Sequence, residues 1–415
     1  MISDLQPTTE TGRKFVDLAE KHARDFAERA ETHDYAGTFP FDNFQDMKES
    51  GFLAGVVPVE YGGLGVSSLY DLMVGISRLG RGDASTAIAA NMHICGTGNV
   101  VRFRHRAERA GDRNTVALVD ELLRKVAKGE ALMCFPNSEA GTDLTSPQTE
   151  ATPVEGGYRV NGRKIFGTVS PAAQFIFPTV RLKQPDGGYV TATAIVERNT
   201  PGLEIKENWD SLGMRSSGSN DIVFSDCFVA SHLLFGIRDN YGKAGQGFPD
   251  VALNVNAPLN ATFLGIAEAA RDIAVQATTK QKGPSRRMLG DRIPIQELIA
   301  QIEIDLSVAR AMTDRLGRLG EAFRERYSHD DPPLHEANEI MKEVQCMKYV
   351  VTKKAVDVVD CAMTVCGGAA YMSKHPLSRL YRDARAGSFM QPYAPYEALE
   401  FIGKVALGID ATLDR

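Results

Sequence analysis

The stretch CGGAAYMSKHPLSRLYRDA, which occupies residues 366–384, decides the fold of this 415-residue chain. It follows a long helical pattern over residues 333–366, in which apolar side chains recur on one face. Gly367 and Gly368 come directly after this pattern. Because glycine has no side chain, the backbone of such a loop can lie very close to a bound group. The segment therefore predicts a long helix followed by a glycine loop.

Three kinds of sequence pattern follow one another along the chain. Residues 9–128 have a helical pattern, residues 157–232 contain short β-rich runs separated by turn residues, and long helical patterns return after residue 245. The later helices are predicted over residues 258–279, 293–327, 333–366 and 397–414. Four long helices favour a bundle. We therefore expect a helical domain over residues 1–130, an antiparallel β domain over 131–236 and a helical bundle over 237–415.

Composition and charge exclude several classes of protein. Apolar residues make up 43% and charged residues 24% of the chain, and no segment approaches the roughly 20 unbroken apolar residues needed to span a membrane. The net charge of −6 gives no electrostatic reason to expect nucleic acid as a partner. The N-terminal residues lack the basic start and apolar stretch of a secretory signal, so we expect a cytoplasmic protein.

The cysteines give no sign of a metal site. No pair has the CxxC spacing, and no histidine lies at metal-ligand spacing from any of them. We expect reduced thiols and no metal. The six cysteines are Cys95, Cys134, Cys227, Cys346, Cys361 and Cys366.

Several short strings occur in order across nearly the whole chain. They are VPVEYGGLG (57–65), ALMCFPNSEAGTD (131–143), NGRK (161–164), FGT (166–168), LGMR (212–215), GQGF (245–248) and the stretch 366–384. Together they resemble the landmarks of the acyl-CoA dehydrogenase family. This resemblance implies an α+β fold with an N-terminal helical domain, a central antiparallel β domain and a C-terminal four-helix bundle. It also implies a flavin-dependent oxidoreductase that forms a homotetramer or a homodimer.

The same resemblance implies where a flavin is held. Phe166 takes the place of the family's tryptophan as an apolar wall, and Thr168 is expected near the reactive ring nitrogen. Arg286 and Gln296 are expected to reach the cofactor of a neighbouring subunit, because the arginine fork can donate twice to a pyrophosphate. The glycine loop serves the adenosine-diphosphate half in relatives, which favours FAD over FMN. The expected cofactor-binding residues are Phe135, Ser138, Gly141, Thr142, Phe166, Thr168, Arg286, Gln296, Gly367 and Gly368.

The chain departs from the family at the catalytic base. In the dehydrogenases a glutamate removes the α-proton of an acyl thioester, and the resemblance puts Gln391 at that position. A neutral amide cannot accept the proton. Some relatives carry the base on the first helix of the C-terminal bundle, where this chain has Val255.

The missing base leaves several functions open. One is oxidation of an acyl thioester with another carboxylate as base, which we take as the first expectation. A flavin monooxygenase of the same fold is a second, because such enzymes do not need the glutamate. A redox-neutral elimination on an acyl-CoA and a flavin-binding protein without turnover are the others. All four imply a small-molecule ligand and neither nucleic acid nor membrane as a partner.

The expected substrate-binding residues are His93, Arg215, Val255 and Asn256. In addition, Arg102, Arg106 and Arg109 fall at spacings of four and three, so a helix would present them on one face. Such a face could receive a CoA phosphate or a substrate carboxylate, although solvated surface charge explains it equally well.

Overall fold

The computed structural model describes residues 4–242, 251–280, 288–390 and 393–411. Along these residues a helical region is followed by a β region and by a second helical region, which confirms the predicted fold class. Within the described ranges, no helix is both long enough and apolar enough to cross a bilayer.

The first region consists of helices that are closely spaced along the chain. They are α1 (Glu10–Ala36), α2 (Phe41–Glu49), α3 (Leu69–Gly82), α4 (Ala84–Arg109) and α5 (Arg113–Ala127). Only Asp83 separates α3 from α4, and its carboxylate accepts hydrogen bonds from the amides of Ser85 and Thr86. The side chain thus satisfies the first amides of α4 at the point where α3 ends.

The β region contains two sheets. The strands are β1 (Met133–Cys134), β2 (Glu150–Val154), β3 (Gly157–Gly167), β4 (Phe175–Ile176), β5 (Thr179–Lys183), β6 (Tyr189–Ala194), β7 (Val196–Glu197), β8 (Leu203–Ile205), β9 (Asn220–Ala230) and β10 (Leu234–Arg238). Their order is β10-β6-β5-β2-β3-β9-β8 in the larger sheet and β1-β4-β7 in the smaller one. Most pairs are antiparallel as predicted, but β2 pairs with β5 and β1 with β4 in parallel. The sheets are therefore mixed, because alternation along one strand does not determine which distant strand lies beside it.

Within the described residues, the second helical region includes helical Val251 and then the π-helical turn Ala252–Asn256. The helices that follow are α6 (Ala257–Lys280), α7 (Ile293–Arg326), α8 (Leu334–Cys366), α9 (Pro376–Ala386) and α10 (Pro395–Leu407). The bounds predicted for α6, α7 and α8 agree with the structure to within one residue. The last helix is shorter than predicted, because Gly408 adopts a left-handed conformation with φ of 68° and ends it.

Helices α3 and α4 lie at the centre of the molecule. Helix α3 packs against α1 on one side and α6 on the other, and α4 contacts α5, α6 and β1. Most residues in the first half of α4 are buried, and many of them are alanine, serine, threonine or glycine. These small side chains allow neighbouring elements to pack closely around the helix.

The three regions meet at one junction. A Cβ atom on Gly213 would lie 2.2 Å from the carbonyl oxygen of Arg382, so the turn at 212–215 packs directly on the backbone of α9. The Met214 amide donates to Asp383 at 2.6 Å, and Arg382 forms an ion pair with Asp34 of α1. Two of the recurring strings, LGMR and the segment 366–384, thus hold the β region on both helical regions.

Candidate functional site

The end of strand β3 combines backbone strain with an exposed aromatic ring. Phe166 and Val169 both have positive φ, at 56° and 68°, a conformation that is unfavourable for residues other than glycine and most unfavourable for a β-branched one. The Phe166 side chain is 56% exposed although it lies at the end of a central strand. Strain of this kind persists mainly where a binding or catalytic site requires it.

Hydroxyl groups converge beside this ring. Thr168 Oγ1 lies 2.9 Å from Ser219 Oγ, which in turn lies 2.7 Å from Ser217 Oγ. The Phe166 ring meets the Trp209 ring edge to face, with their centres 6.0 Å apart. An aromatic wall with hydroxyl groups at its edge fits a flavin ring, whose faces are apolar and whose edge carries hydrogen-bonding atoms.

A buried ion pair anchors the loop that precedes this strand. Lys164 Nζ lies 2.5 Å from Glu139 Oε1, and both side chains are almost completely buried. Burial lowers the pKa of Lys164, and although burial also raises that of Glu139, the nearby ammonium lowers the Glu139 pKa overall. Glu139 also accepts hydrogen bonds from Thr149. The carboxylate that follows Ser138 is therefore a structural group.

The remaining cofactor candidates of this loop lie around that anchor. The Ser138 carbonyl accepts a hydrogen bond from the Ile165 amide at 2.9 Å, which places the loop beside the end of β3. Thr142 donates its hydroxyl hydrogen to the Ser146 carbonyl at 2.6 Å, and Gly141 before it has a φ of 78°. Within this chain the Thr142 hydroxyl closes a turn, and its contact with a cofactor stays a prediction.

A cavity of about 270 Å³ lies between helix α4 and the larger sheet, and we call it the sheet-side cavity. Its wall includes the arginines Arg102, Arg106 and Arg238. Four phenylalanines also line it: Phe103, Phe135, Phe177 and Phe235. Among the described residues, no aspartate or glutamate lines this cavity. The described part of the wall therefore offers positive charge and aromatic surface.

Phe135 is positioned in this cavity by a close contact with α4. A Cβ atom on Gly96 would lie 2.2 Å from the Phe135 ring, so only glycine leaves room for the ring there. On its other side the ring stacks on Phe177, with centres 4.8 Å apart. The predicted cofactor residue thus forms part of the wall between α4 and the sheet.

His93 is buried within α4 and supports strand β1. Its Nδ1 atom accepts a hydrogen bond from the Met133 amide at 3.0 Å. Burial lowers the pKa of His93 to about 3, so the ring is neutral at physiological pH. In this position the imidazole fixes the strand that leads to Phe135.

The substrate candidates Val255 and Asn256 lie in the π-helical turn, a feature often found at functional sites. Both side chains are buried, and the Val255 carbonyl accepts a hydrogen bond from Asn91 of α4 at 3.1 Å. The Asn256 carbonyl accepts one from Asn260 at 2.7 Å. Val251, which comes just before the turn, lines the sheet-side cavity. The residue before the turn therefore borders the cavity, and the turn itself contains no carboxylate.

Arg215 lies elsewhere, at the junction of the three regions. Its guanidinium donates to the carbonyl oxygens of Asp34 and Ser211, each at 2.9 Å, and pairs with Asp210. It does not belong to the wall of the sheet-side cavity. The structure gives this arginine a bridging position between α1 and the β region.

Three candidates lie on the exposed surface of the second helical region. Gln296 donates to the Gly290 carbonyl at 2.9 Å, and Gly367 and Gly368 follow the end of α8. A Cβ atom at either glycine would meet no atom of this chain within 4 Å, so that side of the loop is open. Arg286 lies outside the described residues.

Gln391, which stands at the position of the family's base, also lies outside the described residues. The residues on either side of this segment are tied to Lys348 of α8, whose ammonium group donates to the carbonyl oxygens of Met390 and Tyr393. Burial lowers the pKa of Lys348 to about 8.

The sequence analysis missed most of the sheet-side cavity. From the sequence, Arg102 and Arg106 were predicted only to share a charged helix face. Arg238 at the end of β10 and Asn240 after it were not predicted to belong to a site. The spacing of four between Arg102 and Arg106 was the available signal. Nothing in the sequence indicated that a strand end far along the chain would complete the same wall.

Comparison with known proteins gives one consistent family. Models of the acyl-CoA dehydrogenase N-terminal, middle and C-terminal domains match residues 9–110, 133–227 and 245–391. The L-evernosamine nitrososynthase of a Micromonospora species is 34% identical over 421 residues, covering 100% of this chain and 95% of that protein. The amino sugar nitrososynthase DnmZ of Streptomyces peucetius is 34% identical and covers 97% of this chain and 95% of its own.

A solved structure agrees with these matches. KijD3 in complex with FMN and dTDP-3-amino-2,3,6-trideoxy-4-keto-3-methyl-D-glucose superimposes with a TM-score of 0.87 at 32% identity, covering 97% of this chain and 95% of that one. The predicted flavin dependence and oxidoreductase class are confirmed at this level, while the reaction remains open. With all three domain models matched in order and two relatives aligned over nearly their whole length, this chain belongs to the acyl-CoA dehydrogenase family.

Proposed function

We propose that this protein is a flavin-dependent monooxygenase that oxidises the amino group of a nucleotide-linked amino sugar. The observation that carries the proposal is that the two positions at which the family carries its base hold Gln391 and Val255, neither of which is a carboxylate. Oxidation of an acyl thioester to an enoyl thioester needs a base at the α-carbon. Oxygenation of an amine needs none, because the amine nitrogen is itself the nucleophile.

The relatives support the same choice. Both curated relatives described above are named as nitrososynthases, and the solved structure holds an amino-keto sugar nucleotide. A bound reduced flavin supplies the two electrons that activate oxygen. One turnover converts an amine, O₂ and reduced flavin into a hydroxylamine, water and oxidised flavin. A second turnover, with another O₂ and reduced flavin, gives the nitroso compound and two waters.

In this proposal the chain itself binds the substrate, orients it and keeps water from the flavin. Phe166 and Trp209 would hold the flavin ring through their aromatic faces, and the hydroxyl group of Thr168, which contacts Ser219 and through it Ser217, would supply hydrogen bonding to it. His93 and Gly96 act on the substrate only through other residues. His93 holds the Met133 amide, and Gly96 leaves room for the Phe135 ring in the cavity wall.

Oxidation of an acyl thioester, the first expectation from the family landmarks, is the second candidate. Membership of the family favours it. It requires a carboxylate that reaches the α-carbon, and the buried Val255 and Asn256 supply none from the π-helical turn. The same absence counts against elimination reactions that begin with proton removal.

We also infer that the flavin is FMN. The solved relative contains FMN, whereas the prediction of FAD rests on the glycine loop at Gly367 and Gly368. That loop is exposed, and a Cβ atom at either glycine would meet no described atom of this chain within 4 Å. Extraction of the flavin after purification, with affinities measured for FMN and FAD, decides between them. Tighter binding of FAD would overturn the inference.

The decisive assay supplies a flavin reductase, NADH and air. A dTDP-linked amino sugar is offered to one sample and a panel of acyl-CoAs to another, and products are followed by mass spectrometry. A hydroxylamine or nitroso sugar that appears only with oxygen supports the proposal. Bleaching of the oxidised flavin by an acyl-CoA without oxygen, with no sugar product, would replace it by the dehydrogenase function. The predicted homotetramer or homodimer is tested separately by light scattering.

A further inference from the structure

We infer that the sheet-side cavity binds a nucleoside diphosphate, with its phosphates at Arg102, Arg106 and Arg238 and its base among the phenylalanine rings. The inference rests on the proposed function, since it assigns the nucleotide half of the proposed substrate to a place in this chain. It is carried by three features of the cavity wall: the rings, the arginines and the amide side chains.

The aromatic rings form a continuous surface. Phe103 and Phe235 lie with their centres 4.6 Å apart, Phe135 and Phe177 with theirs 4.8 Å apart, and Phe177 meets Phe235 edge to face at 6.5 Å. Phe177 is almost completely buried, whereas the others are partly exposed. Aromatic side chains of this kind provide flat faces on which a nucleobase stacks.

The arginines lie towards the outer rim of the cavity. Arg102 and Arg106 are one helical turn apart on α4 and are partly exposed, and Arg238 at the end of β10 is exposed. Arg102 is oriented by a hydrogen bond to the Asn99 side-chain oxygen. Guanidinium groups donate in pairs to phosphate oxygens, and three of them around one opening match the charge of a diphosphate.

Two asparagines have their amide groups oriented by neighbouring threonines. Thr179 donates its hydroxyl hydrogen to Asn137 Oδ1 at 2.8 Å, and Thr191 donates to Asn240 Oδ1. With the oxygen of each amide engaged in this way, the amide NH₂ group is the part that faces other acceptors. All four residues line the cavity, so the two amide groups are available there as hydrogen-bond donors to the carbonyl oxygens of a pyrimidine base.

A neighbouring cavity is also lined by arginines but differs in its other residues. This outer cavity, of about 450 Å³, is also lined by Arg102 and Arg106, and in addition by Arg109. Four carboxylates line it as well, those of Glu321, Glu325, Asp330 and Asp331. The acidic groups oppose binding of an anion there. The third arginine of the helix face, Arg109, therefore belongs to a mixed-charge surface and serves as a matched control.

The test measures binding of thymidine diphosphate by calorimetry, with no flavin and no sugar. We expect binding to the wild-type protein, and an affinity about 10- to 100-fold lower in Arg106→Ala and in Arg238→Ala, since each change removes charge-assisted hydrogen bonds to phosphate. Arg109→Ala is expected to bind within about two-fold of the wild type. Equal losses in all three variants would contradict the inference, because they would indicate general electrostatic attraction.

The wild-type protein gives a second test that depends on no variant. Affinity is expected to rise from thymidine to thymidine monophosphate to thymidine diphosphate. The gain in affinity from each added phosphate is expected to become smaller as the salt concentration is raised. Affinity that is independent of the phosphates would overturn the inference. Circular dichroism of each variant shows whether a loss of binding reflects a loss of fold.

The two proposals fail separately. If thymidine diphosphate binds as expected but no nucleotide-linked amino sugar is oxidised, the nucleotide site stands and the proposed reaction falls. If the amino sugar nucleotide is oxidised and Arg106→Ala and Arg238→Ala leave its KM unchanged, the reaction stands and this site assignment falls.

Discussion

Two groups of arginines in this molecule illustrate opposite uses of the same side chain. Arg78, Arg81 and Arg310 converge on Glu268, whose side chain is 2% exposed, with N–O distances from 2.5 to 3.4 Å. The arginines of the sheet-side cavity line a space in which the described residues include no carboxylate. The first group is buried around a shared carboxylate and links α3, α6 and α7. The second lines a cavity and is at least partly exposed there.

This difference predicts which arginines stabilise the fold and which act on a ligand. A buried charge that loses its partner is costly, because the remaining charges stay out of water. A partly exposed arginine keeps contact with solvent, so we expect its removal to cost the fold less than removal of a buried charge. The following predictions test that distinction, beginning with the largest expected effect.

Replacement of Glu268 by glutamine leaves the arginines around it without their shared counter-charge. We expect Glu268→Gln to lower the free energy of unfolding by about 3–5 kcal/mol, the usual cost of breaking a buried ion pair. Urea denaturation of the variant and the wild type at pH 7 measures the difference. A loss below about 1 kcal/mol would mean that Asp4 and Glu20, which also pair with these arginines, are sufficient.

Asp383 is an intermediate case, since it is fully buried but lies 3.5 Å from one arginine, Arg379. Burial raises its pKa from 3.8 to about 6. Because the folded protein holds the proton more tightly than the unfolded chain, the stabilisation from protonation is complete below pH 3.8 and is lost as pH rises through about 6. We expect the Asp383→Asn side chain still to accept a hydrogen bond from the Met214 amide. As pH rises from 4 to 7, the free energy of unfolding of the variant should increase by about 3 kcal/mol relative to that of the wild type.

Unfolding free energies of Asp383→Asn and the wild type, measured across that pH range, provide the check. The prediction concerns only the difference between the two proteins, so other titrating groups cancel. A difference that stays constant from pH 4 to pH 7 would show that Asp383 has an ordinary pKa in the folded protein.

The contact between α4 and the cavity wall gives a prediction of medium size. In Gly96→Ala the new methyl group would overlap the Phe135 ring, so we expect a loss of about 1–3 kcal/mol in stability and weaker binding of thymidine diphosphate. Gly98→Ala is the matched control on the same helix, because the nearest atom to its methyl group, Arg102 Nη1, lies 3.8 Å away. There alanine is expected to stabilise the helix by up to about 1 kcal/mol. Equal effects of the two substitutions would contradict the proposed packing.

The smallest predicted effect completes the comparison between the two arginine groups. Arg106→Ala is expected to change the free energy of unfolding by no more than about 0.5 kcal/mol, although it weakens nucleotide binding. Thermal and urea unfolding without ligand measure the first quantity. A destabilisation close to that of Glu268→Gln would show that Arg106 stabilises the fold as the arginines around Glu268 do. The proposed difference between the two arginine groups would then be wrong.

Much of the fold could be predicted from the sequence because its signals are local. The long helices α6, α7 and α8 have clear apolar periodicity, and the glycines after α8 interrupt it. The parallel pairing of β2 with β5 could not be predicted, because it depends on which distant strands meet. The end of the last helix was predicted seven residues too late, because Gly408 was not recognised as a cap.

The candidate site also has one part that local sequence signals predict and one part that depends on contacts between distant residues. The flavin candidates Phe166 and Thr168 lie in short strings that the sequence presents directly, and the structure adds the strain at Phe166 and Val169 and the nearby Trp209. The sheet-side cavity is assembled from α4, β5, β6 and β10, and each contributes only one or a few residues. No local pattern joins Arg106 to Arg238, so only the folded chain shows that they share a wall.

Because Gln391 and Val255 occupy the family's two base positions, we expect this protein to oxygenate an amine rather than desaturate a thioester. The most direct measurement is a turnover under ¹⁸O₂ with reduced FMN and a dTDP-linked amino sugar, followed by mass spectrometry of the product. We predict a hydroxylamine or nitroso sugar whose new oxygen carries the label. An unlabelled or unchanged sugar, together with anaerobic bleaching of the oxidised flavin by an acyl-CoA, would contradict the account.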